Sequence, residues 1–199
     1  MTSVEIKRMR RADIEEASEV LSRAMLSNPI HVAVYQGENE IERQQIQDGF
    51  LTMLRDRPEE VFMAKLGSQI IGVCRSYICR GDRFIPHEVQ ELLDTSDPKL
   101  SSIMDRNNYW EGIWARRDPS IIHSHLGPIG VLPEYQSIGV GTQLMERYCR
   151  LVEERKLPAY LETDRLTNVS FYSMFGFTLI DEIEILEVTN YFMWREIQE

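Results

Sequence analysis

The spacing of apolar residues divides the chain into two kinds of segment. Alternating apolar and polar positions, or short apolar runs between turn residues, predict strands at 4–9, 61–66, 69–78, 124–132, 159–163, 178–184 and 187–195. Apolar residues that recur every three or four positions predict helices at 12–28, 40–55, 141–156 and 167–175. Strands and helices interleaved in this order predict a mixed α/β sheet.

Two helices are predicted between the first strand and the rest of the sheet. Asn28-Pro29 ends the first helix and Arg57-Pro58 closes the second. The first has an apolar stripe made of Ile14, Ala17, Val20, Leu21, Ala24 and Met25. The second has one made of Ile41, Ile46, Phe50, Met53 and Leu54. The Gly67-Ser68 turn then predicts an antiparallel hairpin between the two strands that flank it.

The stretch 81–120 is long for a connection between two strands of one sheet. Its apolar residues form two groups, so it is not expected to be structureless. The groups are Val89, Leu92 and Leu93 on one helical face, then Tyr109, Trp110, Ile113 and Trp114. We expect a helical insertion that packs at least partly onto the body. Its two tryptophans could equally be plain core residues.

Composition fits one domain over residues 1–199, with 43% hydrophobic and 27% charged residues. The chain has no signal-peptide pattern and no apolar stretch near the ~20 residues that a membrane span needs. These features predict a cytoplasmic protein with no membrane partner. Cys74, Cys79 and Cys149 cannot all pair, and free buried thiols are expected.

The formal net charge is −10 at pH 7. It argues against a nonspecific nucleic-acid binder, because phosphate backbones require clustered Lys and Arg. The same charge can concentrate a cationic amine, or it can simply keep the protein soluble.

Residues 129–142 have the pattern of a phosphate-binding turn. An apolar strand is followed by Gly139 and Gly141 and then by helical periodicity from Thr142. The N–H groups at such a helix start are unpaired and lie at the positive end of the helix dipole, so they suit a pyrophosphate. The turn lacks the Gly-Lys-Ser/Thr of a nucleotide P-loop and the third glycine of a dinucleotide fold. Two glycines alone also fit an ordinary tight turn.

Two ordered motifs carry a family resemblance. The run Val131-x-Pro133-Glu134-Tyr135-Gln136-x-x-Gly139-x-Gly141 resembles the acetyl-coenzyme A signature of the GCN5-related N-acetyltransferases, the GNAT family. Further on, Asn168 followed by Phe171-Tyr172 and Gly176-Phe177 resembles the second block of that family. The resemblance implies a GNAT-like acyl-CoA acyltransferase fold, with a mixed, mostly antiparallel central sheet flanked by helices. It also implies that 81–120 is a helical insertion before the fourth strand, where it could form an aromatic-walled lid at the acceptor site.

The resemblance implies acetyl-CoA as a co-substrate and no metal. It assigns the pyrophosphate to the turn 136–142 and the pantetheine arm to the backbone of 129–131, as an added strand pairs with a sheet edge. The residues assigned to acetyl-CoA are Ile129, Gly130, Val131, Gln136, Ser137, Ile138, Gly139, Val140, Gly141, Thr142, Asn168, Phe171 and Tyr172. Ser137-Ile138 departs from the family by lacking a basic residue, so the helix end must provide more of the attraction.

Acetyl transfer to an amine needs a base for the ammonium, a stabilised oxyanion and a proton for the leaving thiolate. An alkylammonium is almost wholly protonated at pH 7, because its pKa lies near 10. His125 is the candidate base, since histidine titrates in the useful range and the resemblance puts the base at this position or two residues on. Glu162 is the alternative base. Each could instead have a structural role.

Tyr172 is the candidate acid, because the resemblance directs its phenol at the sulfur of coenzyme A. The alternative is that it only packs against Phe171 and Phe177. His123 shares the face of His125 and could relay a proton or shape the pocket. A metal is disfavoured at the two histidines, because no Cys, Asp or third His stands at ligand spacing beside them in the sequence.

These motifs favour an enzyme that moves the acetyl group of acetyl-CoA to a small-molecule primary amine by direct attack in a ternary complex. The alternative is a non-catalytic acetyl-CoA-binding sensor or scaffold, and the presence of Tyr172 with His125 or Glu162 argues against it. A phosphoryl transferase would need a metal-binding carboxylate pair, which Glu134 alone does not supply. Homodimers are common in the family, and the C-terminal strands near 191–194 are a candidate contact.

Overall fold

The computed structural model describes residues 3–56, 59–81 and 83–197. Its strands are β1 (Val4–Arg8), β2 (Glu60–Leu66), β3 (Gln69–Cys79), β4 (His123–Val131), β5 (Ala159–Thr163), β6 (Thr178–Ile185) and β7 (Val188–Arg195). Its α-helices are α1 (Ile14–Met25), α2 (Pro29–Tyr35), α3 (Glu40–Asp56), α4 (His87–Asp94), α5 (Ile103–Arg117), α6 (Val140–Arg155) and α7 (Leu166–Ser173).

The seven strands form one sheet in the order β1-β2-β3-β4-β5-β7-β6. Neighbouring strands are antiparallel except β4 and β5, which are parallel and are joined through α6. A parallel pair needs such a crossover, whereas the antiparallel pairs can be joined by turns. The prediction of a mixed, mostly antiparallel sheet flanked by helices is confirmed.

Two glycines in the centre of the sheet show that α1 and α6 cover opposite faces. A Cβ on Gly130 would lie 2.9 Å from the Cβ of Ala24 in α1, and one on Gly72 would lie 3.1 Å from Leu144 in α6. Gly130 pairs with Val73, the neighbour of Gly72. Because successive residues of a strand face opposite sides, the two helices lie on opposite sides of the sheet. Because glycine has no side chain, each helix can approach the sheet closely at these two positions.

The buried apolar residues form two clusters. The larger fills the space between the sheet and the helices α1 and α6, with Leu21, Ile71 and Leu144 among its fully buried members. The smaller contains Ile30, Val34, Trp110 and Ile185, so it joins α2, α5 and the end of β6.

The helix α2 was not predicted. Asn28-Pro29 ends α1, but it also begins α2, because the Asn28 side chain accepts from the N–H of His31 and Pro29 occupies the first helical position. A stop signal and a start signal coincide in these two residues, and α2 is too short to show a clear apolar period.

The predicted apolar stripe of α3 is partly wrong. Ile46 and Leu54 are buried, but Ile41 is 68% exposed. Ile41 lies in the first turn of the helix, and the buried positions begin one turn later. Arg57-Pro58, the predicted stop, lies outside the described residues.

The segment between β3 and β4 contains α4 and α5, which pack on each other at Gly112. A Cβ there would lie 2.7 Å from Val89 and 2.8 Å from Leu93 of α4. The Nε of Arg106 donates to the carbonyl of Val34 at 2.6 Å, and Trp114 Nε1 donates to Asn190 Oδ1 at 3.0 Å. These bonds fix α5 to α2 and to β7.

The predicted dimer contact near 191–194 lies in β7, which is paired with β5 on one side and β6 on the other. It therefore offers no free strand edge, and the edge strand at this end of the sheet is β6. The three cysteines are free and buried, as predicted. Within the described ranges no helix is long and apolar enough to cross a membrane.

Candidate active site

The sheet opens between β4 and β5. In the described part of the chain these strands pair only from Ser124 opposite Ala159 to Leu126 opposite Leu161, whereas β4 continues to Val131 in its pairing with β3. The edge of β4 that faces β5 is therefore free beyond Leu126. Such an edge can pair with an extended ligand that carries amide groups. Ile129, Gly130 and Val131, all assigned to acetyl-CoA from the sequence, lie on this free edge.

The turn after β4 leads directly into α6. Gly139 is the residue before the first turn of the helix, with φ of 87°, and a Cβ there would meet nothing within 4 Å. Glycine suits this left-handed conformation, and the space beside it is open. Gly141 does not share the positive φ, and a Cβ there would lie 3.6 Å from Phe171, an ordinary contact. The open helix start fits an anionic group, as an acyl-CoA pyrophosphate requires.

Side chains around this turn differ in what they could offer a ligand. Ile138 is 64% exposed, whereas Val140 is 1% exposed and packs in the core, so only the backbone of Val140 can face the opening. The Nε2 of Gln136 donates to the carbonyl of Val131 at 3.0 Å, and the Nδ2 of Asn168 donates to Thr163 Oγ1 at 2.9 Å. Both amides therefore brace the local structure. Their carbonyl oxygens are acceptors that these bonds do not use.

The predicted acid, Tyr172, lies on α7 and is 6% exposed. Its ring packs on Phe171 and Phe177, with centroid distances of 5.4 and 6.2 Å. Burial raises the pKa of Tyr172, with a smaller effect from Cys74 and Asp164, so the phenol keeps its proton at neutral pH. Among the described residues its hydroxyl has no hydrogen-bond partner. The ring of Tyr172 thus packs against its neighbours, which is the alternative role, while its hydroxyl remains free to donate a proton.

The two candidate bases touch each other. His125 Nε2 lies 2.8 Å from Glu162 Oε2, and the side chains are 5% and 2% exposed. His125 pairs with Tyr160 across β4 and β5, so Glu162, two residues further, projects from the same face. Glu162 Oε1 is buried without a hydrogen-bond partner in the described ranges. The two residues that the sequence offered as alternative bases are therefore hydrogen-bonded to each other in the structure.

The histidines face away from α6. Ser124, between them, accepts a hydrogen bond from the hydroxyl of Tyr148 in α6 at 3.1 Å. Its neighbours His123 and His125 therefore project from the opposite face, and their rings lie 6.0 Å apart. That face also carries the end of α5.

Three further residues complete the surroundings of the histidines, and the sequence did not identify them. Tyr77 stacks on His125 and its hydroxyl lies 3.0 Å from Nδ1. Asp118 Oδ1 lies 3.4 Å from the same nitrogen and 3.2 Å from His123 Nε2. Cys79 Sγ donates to Asp118 Oδ2 at 2.9 Å. Of these three residues, only Tyr77 could have been found from the sequence, because the antiparallel register of β3 and β4 places it opposite His125.

The fold brings Cys79 and Asp118 to His123, although neither stands at ligand spacing from the histidines in the sequence. Burial, reinforced by the Asp118 carboxylate, raises the pKa of the Cys79 thiol to about 11. The thiol is therefore protonated at neutral pH and acts as a hydrogen-bond donor. The cluster is a network of hydrogen bonds and ion pairs.

Charge is balanced within this buried network. Burial alone would lower the pKa of His125, but the negative charges of Glu162 and Asp118 outweigh burial and raise it above the ordinary value. Burial would likewise raise the pKa of Asp118, but its contacts with His123 and His125 hold that pKa well below the usual range. Each group therefore favours the charged form of its neighbour.

The start of α2 lies beside the end of β5. Asp164 accepts from Asn28 Nδ2 at 2.8 Å and from the N–H of Ile30 at 2.7 Å. His31 lies at the edge of Trp110 with ring centroids 5.4 Å apart, and burial lowers the pKa of His31 to about 4, so this ring is neutral. Trp110 of the insertion thus packs on α2, whose start is hydrogen-bonded to the residue that follows β5.

An open strand edge followed by an unobstructed helix start can hold an extended ligand with a charged pyrophosphate end, as an acyltransferase that uses a coenzyme A thioester requires. The family model described as "Acetyltransferase (GNAT) family" matches residues 24–177. The chain therefore belongs to the GNAT acetyltransferase family.

Solved structures with the same fold agree. Histone acetyltransferase HPA2 and related acetyltransferase from Corynebacterium glutamicum matches with a TM-score of 0.70 at 14% identity, over 99% of this chain and 98% of that one. Arylalkylamine N-acetyltransferase 2 from Aedes aegypti matches with a TM-score of 0.71 at 15% identity, over 98% of this chain and 100% of that one. A GNAT family acetyltransferase from Brucella melitensis, in complex with acetyl-CoA, matches with a TM-score of 0.57 at 16% identity, over 100% of this chain and 91% of that one. At these identities the likeness concerns the fold.

Proposed function

We propose that the protein transfers the acetyl group of acetyl-CoA to a small-molecule primary amine by direct attack in a ternary complex. The observation that carries this proposal is the buried pair of His125 and Glu162, which lies where β4 and β5 begin to separate. A protein that only bound acetyl-CoA would have no need for a buried carboxylate with a free oxygen at that point. Residues 1–199 act in this proposal as a single N-acetyltransferase domain.

Acetyl-CoA is held in this proposal by backbone groups more than by side chains. The free edge of β4 at 129–131 pairs with the pantetheine arm, and the N–H groups at the start of α6 receive the pyrophosphate. The open space beside Gly139 supports this placement, and the Brucella acetyltransferase of similar fold is a complex with acetyl-CoA. When bound, acetyl-CoA supplies an activated acetyl carbonyl.

The acceptor enters as an ammonium and must lose a proton before it can attack. Glu162 Oε1 is a buried acceptor without a partner, and an ammonium N–H group satisfies it. The ammonium N–H bond breaks, its electrons remain on nitrogen as the attacking lone pair, and the His125–Glu162 pair gains one proton. We treat the two side chains as one base, because strongly coupled groups titrate together. His123 is placed to shape the pocket or to relay that proton.

The departing thiolate needs a proton, and Tyr172 supplies it in this proposal. A buried phenol with a raised pKa is protonated at neutral pH and has no other hydrogen-bond partner among the described residues. The segment 81–120 forms the acceptor side of the site, where Trp110 and Trp114 provide apolar walls.

The test is isothermal titration with acetyl-CoA, followed by measurement of thiol release with a panel of primary amines. Binding with amine-dependent release of coenzyme A is the expected result, and the amine with the highest kcat/KM identifies the acceptor class. Binding without release from any amine would favour an acetyl-CoA sensor. Absence of binding would overturn the proposal.

A further inference from the structure

Asp118 follows α5 and belongs to neither strand of the proposed base, yet its side chain is 2% exposed. Its Oδ1 lies 3.2 Å from His123 Nε2 and 3.4 Å from His125 Nδ1, and Oδ2 accepts from Cys79. A buried carboxylate is costly unless it is paired and hydrogen-bonded. The hydrogen bond from Cys79 and the nearby imidazoles offset part of that cost, while Oδ1 has no hydrogen-bond partner in the described ranges. The same contacts make the end of α5 part of the histidine cluster.

His125 is held from both sides of its ring. In the neutral ring the hydrogen on Nε2 is donated to Glu162 Oε2, and Nδ1 can accept the hydroxyl of Tyr77 at 3.0 Å. A second hydrogen on Nδ1 would face the carboxylate of Asp118. Glu162 therefore interacts with one half of the ring, and Asp118 interacts with the half that becomes charged.

The ring of His123 is fixed in a compatible orientation. Its Nδ1 lies 2.8 Å from the carbonyl oxygen of Ile121, which can only accept, so Nδ1 carries a hydrogen and Nε2 faces Asp118. The carbonyl of Ile121 thus orients the ring of His123, and Asp118 Oδ1 lies close to both imidazoles without a hydrogen-bond partner among the described residues.

We propose that Asp118 is a positioning residue for acetyl transfer: its carboxylate faces Nδ1 of His125 and stabilises the His125–Glu162 pair once that pair has taken the proton of the amine. The catalytic role of Asp118 rests on the proposed function, whereas its contact with His125 can be tested without turnover. The segment 81–120 then contributes to the chemistry as well as to the walls of the acceptor site.

The direction of the pH effect follows from the groups around the ring. They are Tyr77 from β3, Asp118 after α5, His123 on the same strand, Tyr160 and Glu162 from β5, and Arg83, whose charge acts on both carboxylates. Removing the charge of Asp118 leaves the protonated pair less stable, so the pair loses its proton at lower pH. The active, deprotonated form then exists at lower pH but is a weaker base.

The experiment compares Asp118→Asn with Asp94→Asn, which makes the same chemical change in an exposed ion pair of the same segment. In Asp118→Asn the rising limb of kcat/KM against pH should move to lower pH, and the plateau of kcat should fall roughly ten- to hundredfold. The affinity for acetyl-CoA should stay close to that of the wild type, and Asp94→Asn should match the wild type throughout. A limb that does not move in Asp118→Asn would overturn the inference, however far kcat falls.

Imidazole ¹⁵N signals give a readout that needs no turnover. In Glu162→Gln, Asp118 is the carboxylate left beside the ring, and His125 should release its proton at a higher pH than in the Glu162→Gln/Asp118→Asn double variant, which has the same buried ring without that charge. Release at the same pH in both variants would refute the role of Asp118. If the wild type shows no amine-dependent thiol release, the proposed function fails, while this titration still decides whether Asp118 stabilises the charged ring.

Discussion

The two ends of β4 form the two halves of the site in different ways. Beyond Leu126 the strand offers a free backbone edge and leads into the open start of α6. Before Leu126 it carries His123 and His125 into a buried network with Asp118 and Glu162. One half is made from main-chain groups that are close in sequence. The other is made from charged side chains contributed by β4, β5 and the end of α5.

This difference determines how each half tolerates change. Backbone N–H and C=O groups are present whatever the side chain, so the acetyl-CoA half depends on side chains at few positions, such as Gly139. The charged half, in contrast, depends on each side chain of its network. Removing one partner of a buried ion pair leaves the other uncompensated, which costs about 3–5 kcal/mol. We therefore expect substitutions to affect binding at one end of β4 and chemistry at the other.

The largest effect is expected for Glu162→Gln. The amide keeps the shape of the side chain but cannot take the proton of the amine, so kcat/KM should fall roughly a hundredfold to ten-thousandfold. Steady-state kinetics and acetyl-CoA titration on the same sample separate chemistry from binding. A comparable loss of acetyl-CoA affinity would break the division between the two halves.

Tyr172→Phe should follow, with kcat reduced about a hundredfold. The hydroxyl has no hydrogen-bond partner among the described residues, so its removal should leave the free energy of unfolding nearly unchanged. Urea denaturation and kinetics with a matched acceptor check both statements. A variant that keeps the wild-type kcat would assign Tyr172 to packing alone.

Gly139→Ala should weaken acetyl-CoA binding about tenfold. A non-glycine residue gains about 1–2 kcal/mol when the free turn leaves the left-handed conformation, and binding must then restore that conformation. Gly141→Ala is the matched control, since the protein itself leaves room for that Cβ beside Phe171. Thermal melting and titration of both variants distinguish strain in the turn from obstruction of the ligand. Equal losses of affinity at unchanged stability would favour obstruction.

The smallest effect is expected for Trp114→Phe. The change removes the donor to Asn190, a fully buried side chain, and should lower the free energy of unfolding by about 1–3 kcal/mol. If Trp114 also lines the acceptor site, the KM of the amine should rise while that of acetyl-CoA does not. Lower stability with both KM values unchanged would make Trp114 a core residue only.

The strand, turn and helix start over 129–142 were predicted from the sequence far better than the buried charged network. These three features follow one another along the chain, so local patterns of apolar residues and glycines are enough to identify them. Asp118 could not be found in this way, because it precedes the histidines in an irregular stretch and reaches them only when α5 packs on the sheet. The helix α2 was missed because its start signal coincides with the end of α1.

The same reasoning explains which assigned roles were refined. His125 and Glu162 were alternatives because sequence separation gives no contact between residues on different strands. The parallel register of β4 and β5 makes them neighbours. Gln136 and Asn168 carried the family pattern, but a pattern does not reveal that their amide nitrogens are used within the protein.

The free edge of β4 also bears on how such proteins diverge. A ligand that pairs with main-chain groups as an additional strand does not constrain the side chains at 129 and 131, which are left to satisfy the core. Over evolutionary time these positions can exchange one apolar residue for another while the co-substrate is retained. Proteins with only 14–16% identity to this chain share its fold.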